Sequence, residues 1–262
     1  MNPPKKVNTS QGRRPSIVVP PNARPIQQAI INRLKKLVAR CYRSCLCKGF
    51  KSEYARILGL FEKYQHAVIQ AGPYTPSCKK GCGICCYHYA EDVYSFEVEI
   101  IAEGLRLNRE NEIPTIIKVL EEDEMWRERI KSAVTRSMGK SRYARGLKDS
   151  DPYDIVLSGF YQLRRACPLL DKDGSCSIYA VRPLTCRIYV SFSHPRYCKP
   201  ENINEGKAAT YLLDLEKDAS DLFDALHFMY DEAHGDTGLR SMLLKRLRLP
   251  STRYFMSRKE EP

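Results

Sequence analysis

The run Cys78-Lys79-Lys80-Gly81-Cys82-Gly83-Ile84-Cys85-Cys86 places four thiols within nine residues, with two glycines among them. Thiols at such spacing, separated by turn-forming glycine, converge on a small volume, and a metal ion or cluster is the commonest reason for gathering them. Cysteine returns further on in Cys167-Pro168-Leu169-Leu170, in Cys176-Ser177-Ile178-Tyr179, in Arg182-Pro183-Leu184-Thr185-Cys186-Arg187 and at Cys198, so that eight of the eleven cysteines lie between positions 78 and 198. Asp171-Lys172-Asp173-Gly174 between two of these groups is a turn signal, and predicts a small hairpin or knuckle with Cys167 and Cys176 on its arms. It is not a calcium loop. Counted from Asp171, the sixth and twelfth positions are Cys176 and Arg182, where such a loop needs Gly and Glu.

Working outward, the apolar pattern on either side is helical. From Pro25, Ile26, Ile30, Leu34, Leu37, Val38 and Cys41 recur at helical spacing, and over 53–70 Tyr54, Ile57, Leu58, Phe61, Tyr64, Val68 and Ile69 do the same. Ser95 is expected to cap a third helix to about Leu107, and Pro114 to open a fourth to about Met138 with Ile117, Leu120, Trp126 and Ile130 inward. Residues 139–152 read as a loop, residues 206 to about 230 as one long amphipathic helix, and the basic end from Arg240 as short helix or disorder. The expected fold is mainly α: a helical domain around a small irregular cysteine-rich metal centre, with at most a short β-hairpin. Three regions are expected: a basic N-terminal extension over 1–52, partly disordered and then an amphipathic helix; the cysteine-cluster domain over 53–235; and a basic C-terminal tail over 236–262.

Residues 1–53 hold twelve Lys or Arg against Glu53 alone, an excess of eleven in a chain whose net charge is +12. The basicity therefore belongs to the ends, which are suited to contact a polyanion, while the cysteine-bearing body is mildly acidic. No apolar run approaches the ~18 residues of a membrane span, and the proline-rich first thirty residues lack the apolar core of a secretory signal. A cytoplasmic location is the expectation. In that reducing setting, thiols hold metal or do chemistry more often than they form disulfides.

Adjacent side chains point in different directions, so Cys85 and Cys86 serve two metals, or opposite sides of a cluster, more easily than one tetrahedral ion. Eight thiols make two four-cysteine sites, or one cluster with cysteines left for redox work, and spacing separates neither these arrangements nor zinc from iron–sulfur. Arg182 and Arg187, on either side of Cys186, would balance the charge of the thiolates. Cys41, Cys45 and Cys47 lack a fourth ligand nearby and are left outside the site; His66 reads as a helix residue and His88 as no more than a reserve ligand. The spacing of Cys78, Cys82 and Cys85 is that of radical enzymes using S-adenosylmethionine, but the helical pattern does not suit their strand–helix barrel. Phosphate-binding loops, dinucleotide fingerprints, nucleophile elbows and zinc-protease helices are absent.

Cys78-x-x-x-Cys82-Gly83-x-Cys85-Cys86 together with Cys167-Pro168-x-Leu170 and Cys176-x-Ile178-Tyr179-x-x-Arg182-Pro183-x-x-Cys186-Arg187 resembles the YkgJ-type cysteine-cluster proteins, described as zinc- or iron-chelating domains. The resemblance spans about 78–198. It implies a bacterial-type cytoplasmic protein holding zinc or iron, the latter as an ion or an iron–sulfur cluster, at Cys78, Cys82, Cys85, Cys86, Cys167, Cys176, Cys186 and Cys198. Three functions follow as expectations: iron-based redox or cluster-assisted modification of another protein or small molecule; a non-catalytic zinc module that presents its basic ends to a partner; and, from a related pattern, a relative of flagellin lysine-N-methylases. No catalytic residue is assigned.

Overall fold

The computed structural model describes residues 19–72, 75–79, 81–138, 151–205, 210–212, 215–230 and 237–249. Helices α1 (Arg24–Arg40) and α2 (Lys48–Ala71) pack on each other as their apolar stripes require, burying Ile30, Leu34 and Leu37 against Phe50, Ile57 and Phe61. Pro25 occupies the first turn of α1, where its missing N–H costs nothing, and Cys41, at φ 44°, ends the helix. α2 begins five residues before the expected start, because the Cys47 thiol accepts the Phe50 N–H and caps a turn that delivers Phe50 to the core.

Helix α3 (Ser95–Asn108) is central. Its Phe96 and Ile100 join the α1–α2 core, and its Val98, Ile101, Ala102 and Leu105 join a second core. Tyr94, not Ser95, precedes the helix as its cap, and Ser95 instead bonds across the molecule, its Oγ donating to the carbonyl of His227 at 2.8 Å. The second core is completed by α4 (Ile113–Met138), with Ile116 and Leu120 buried, and by the basic C-terminal segment, whose α8 (Leu239–Arg248) contributes Leu239, Leu243 and Leu247. On α4 the inward face runs through Ile116, Leu120 and Asp123; Trp126 and Ile130 are only half-buried.

Two elements differ from expectation. Residues 152–162 form a helix, α5 (Pro152–Gln162), capped by the Asp151 carboxylate on the Tyr153 N–H and seated on α4 through Val156 and Phe160. The long helix expected from 206 is shorter: α7 spans Lys217–Tyr230, and Thr210–Leu212 is instead a strand, β2, paired antiparallel with β1 (Tyr189–Ser191), Ser191 opposite Thr210. α7 lays Ala219, Phe223 and Leu226 on α1 and α3. Residues 139–150, most of the expected loop, lie outside the described residues, as do 1–18 of the N-terminal extension. The molecule is thus mainly helical, and between its helices run the loops that carry the cysteines.

Candidate metal centre

The two cysteine blocks, about eighty residues apart in the chain, meet backbone to backbone. The Cys167 N–H donates to the Cys86 carbonyl at 2.8 Å. Gly81 and Gly174, both at φ 80°, face each other so closely that a β-carbon on Gly174 would lie 2.7 Å from the Gly81 carbonyl oxygen. Glycine is required there twice over, for a left-handed backbone and for room. The second block is the expected knuckle: Leu170 and Cys176 form an isolated antiparallel bridge around a turn in which Asp173 accepts the Ser175 N–H.

Ser191 of β1 gathers the outer cysteines. Its N–H donates to Cys78 Sγ and its Oγ accepts from Cys198 Sγ, each at 3.2 Å, while its carbonyl accepts the Ser77 N–H at 2.8 Å. Desolvation, followed by the charges of Cys82, Cys85 and Cys198, raises the Cys78 thiol, with the Ser191 N–H acting against them. Cys198 is held from its other side, its carbonyl accepting the Tyr161 hydroxyl, and the Tyr161 ring stacks on His88 with centroids 3.7 Å apart.

The inner cysteines differ. Burial pushes Cys186 up to about 12 and also raises Cys167 and Cys176; next to burial, Cys167 feels Arg240 and Cys176, and Cys186 feels Arg182, Cys167 and Cys85. Cys85 runs the other way. The hydrogen bond from the Cys86 thiol, helped by the Arg182 guanidinium 3.9 Å from Cys85 Sγ, lowers Cys85 to about 6, and the same hydrogen bond raises Cys86.

Three arginines organise these loops, and they do so differently. Arg182 faces a sulfur. Arg187 is buried and directs its donors away from the cysteines, to the carbonyls of Tyr179, Ala180 and Arg182 and to Glu62 at 2.6 Å, so it shapes the turn that presents Cys176 and Arg182. Arg240, 2% exposed, is the third. It pairs with the fully buried Asp123, stacks 5.0 Å from the Phe160 ring, and reaches the carbonyls of Cys86 and His88 on one side and Arg165 and Ala166 on the other. One guanidinium therefore clasps the end of the first block to the start of the second. Nothing in the sequence marks it, since Arg240 opens a basic run and Asp123 lies in a charged helix.

Cys41, Cys45 and Cys47 lie in the connection before α2, whereas Cys78 follows its C-terminal end; a helix of 24 residues is about 36 Å long. Cys45 is part of the apolar core, and burial pushes its thiol up to about 12.

Set against known proteins, the chain matches over residues 77–209 the CxxCxxCC family, which carries the description "Putative zinc- or iron-chelating domain". This chain belongs to the CxxCxxCC family. No curated protein and no solved structure matches it. The CxxCxxCC segment contains all eight clustered cysteines, whereas Arg240, which clasps them, lies outside it.

The donor set suits zinc or iron. All eight thiols are free, two of them exposed and six partly buried, with Cys167 and Cys176 packed at the edge of the second core. Among the described residues no three His, Cys, Asp or Glu side chains are already disposed to hold one metal ion. Among the described residues no helix is long and apolar enough to cross a membrane.

Proposed function

We propose that this chain binds zinc or iron through two sets of cysteine thiolates that adjoin at Cys85 and Cys86. The outer set is Cys78, Cys82, Cys85 and Cys198; the inner set is Cys86, Cys167, Cys176 and Cys186. The observation that carries the reading is the meeting of the two blocks, Cys86 with Cys167 and Gly81 with Gly174, which brings eight free thiols from distant parts of the chain onto adjoining loops. Ser191 bridging Cys78 and Cys198 supports the outer set, and the central place of Cys167, which feels Cys176 and acts on both Cys86 and Cys186, the inner one.

Zinc in these sets would crosslink the loops, and iron, as an ion or within an iron–sulfur cluster, would supply one-electron redox chemistry. The chain's own residues do the rest. Arg182 offers positive charge to the exposed Cys85, Arg187 fixes the turn behind it, and Arg240 sets the separation of the blocks. Drawing the sulfurs to ligating distance is then a local adjustment of short turns already held by their own backbone hydrogen bonds, and metal that binds the folded chain stabilises it.

The test is metal analysis with a visible spectrum on protein purified without oxygen. Iron with sulfide and absorbance near ~400 nm establishes cluster chemistry; colourless protein with one or two zinc ions establishes a structural centre. Cys198→Ser and Cys167→Ser are expected each to remove a different part of the metal. Protein that takes up neither metal on reconstitution overturns the reading.

A further inference from the structure

Away from the eight clustered cysteines, α1 and the N-terminal half of α2 flank an open cleft of about 450 Å³ lined by Arg33, Lys36, Arg40, Tyr42, Glu53 and Arg56. That volume falls in the range of ~300–1,000 Å³ over which proteins hold small ligands or parts of larger ones. Four cations face it and one carboxylate offsets them: Glu53 accepts Arg33 at 2.6 Å and Arg56 at 3.1 Å. Arg40 spends one donor on the Tyr42 hydroxyl at 2.8 Å, and Lys36 is exposed. The excess of three positive charges lines a concave wall whose geometry is set by rigid helices, and Tyr42 is fixed by its edge-to-face contact with Phe50 at 6.0 Å.

The chemistry selects the partner. A basic, amphipathic α1 lies stably on an acidic membrane when it adds an inserted apolar face to its charge, but Ile30, Leu34 and Leu37 are buried in the core, and no large hydrophobic side chain of the described part of residues 1–72 is exposed, so α1 offers a membrane charge alone. What remains is a cationic groove with a tyrosine ring at its side, the pairing used to hold a phosphodiester backbone with a base against an aromatic surface. We propose that this cleft binds single-stranded nucleic acid, with Lys36, Arg40 and the Arg33–Glu53–Arg56 cluster on the phosphates and Tyr42 beside a base. Arg56 and the end of α2 at Ala71 are fifteen residues apart, about 22 Å along the helix, so the cleft and the cysteine loops act separately.

The experiment is fluorescence anisotropy of labelled twelve-nucleotide oligouridylate and oligothymidylate with the full-length protein, from about 50 to 300 mM salt. Binding that weakens as salt rises is expected, and Lys36→Gln and Arg40→Gln should each lower the slope of log affinity against log salt by about 0.7. Lys36→Glu with Arg40→Glu should weaken binding at least about tenfold at low salt, with circular dichroism and metal content unchanged, since both side chains are exposed. Tyr42→Leu should weaken binding without changing the slope. The proposal is overturned by absence of binding at low salt, by unchanged affinity in the double charge reversal, which would assign binding to other basic segments, or by capture on anionic phosphatidylserine vesicles with none on the oligonucleotides.

Discussion

The α1–α2–α7 core and the cysteine loops are held together by opposite means. In the core, Phe50 and Phe96 meet edge to face at 5.7 Å, Tyr54 packs on Phe96 at 5.1 Å, and Leu34, Phe61 and Leu226 lose nearly all contact with water. Position there follows from shape and apolar area. The cysteine segments reach the cores through single anchors, Leu169, Ile178, Leu184 and Val190. Between those anchors their course is set by Asp123, Arg187, Arg240 and backbone contacts between glycines, so a few polar groups with fixed directions add what many undirected contacts do elsewhere. The comparison teaches that damage should be graded in the core and all-or-none in the loops.

The largest effect is expected from Arg240→Met. It leaves Asp123 buried with Arg165 as its remaining partner and takes a donor from the carbonyls of His88, Arg165 and Ala166, while that of Cys86 keeps the Cys167 N–H, and should cost about 3–5 kcal/mol in urea unfolding. Metal uptake should fall with it, measured as bound metal per chain. If stability drops but metal content does not, the clasp is structural alone.

Leu34→Ala should cost about 2–5 kcal/mol through an unfilled cavity, yet leave metal stoichiometry untouched at temperatures where the protein stays folded. Combined with Arg240→Met, its effect should add to within ~0.5 kcal/mol, because the two sites share no partner. Strong coupling in that double-mutant cycle would break the distinction between the regions.

A third test uses Glu97, which touches both regions by accepting the Tyr54 hydroxyl and the N–H of Leu184, the first residue of α6 (Leu184–Ile188), the helix of Cys186. Burial holds its carboxyl at about 6, above the ordinary 4.5. The folded protein therefore keeps a proton that the unfolded chain has released between those values. The stability this group contributes is complete below about 4.5 and is lost as pH rises through 6, a change of about 2 kcal/mol. Glu97→Gln should flatten the pH dependence of the unfolding midpoint across that window. The smallest effect is expected at Cys47→Ala, which removes only a 3.4 Å sulfur cap from α2 and should cost no more than about 0.5 kcal/mol by thermal unfolding.

Legibility followed the same division. α1 and α2 could be read because Ile30, Leu34, Leu37, Ile57, Phe61 and Tyr64 repeat with the helical period, and because that period has a physical counterpart in one buried face. α3 was readable as a helix but not as a central one: Glu97, Glu99 and Glu103 look like a solvent face, and become buried only because Tyr54, Arg246 and Lys51 come from elsewhere to meet them. α5 is hard to read although Asp151-Pro152 is a sound start signal, since its inward residues are few and Gly159 weakens the pattern. Tyr211 and Leu212 fit a helical pattern because apolar neighbours at 215, 222 and 226 extend the period backward; pairing with β1 overrides it. In the centre, cysteine identity and spacing marked the candidate ligands, but Ser191, Tyr161, Asp123 and Arg240 left no local trace, because a buried ion pair is defined by its partner and the partner is far along the chain.

Arg240 also imposes an order in time. A nascent chain emerges from its N-terminus, so both cysteine blocks are outside the ribosome before the arginine that joins them has been synthesised. During that interval the eight thiols belong to two unjoined segments, exposed to whatever oxidant or stray ion is present. The clasp on the centre is thereby deferred until translation has reached α8, the last helix among the described residues.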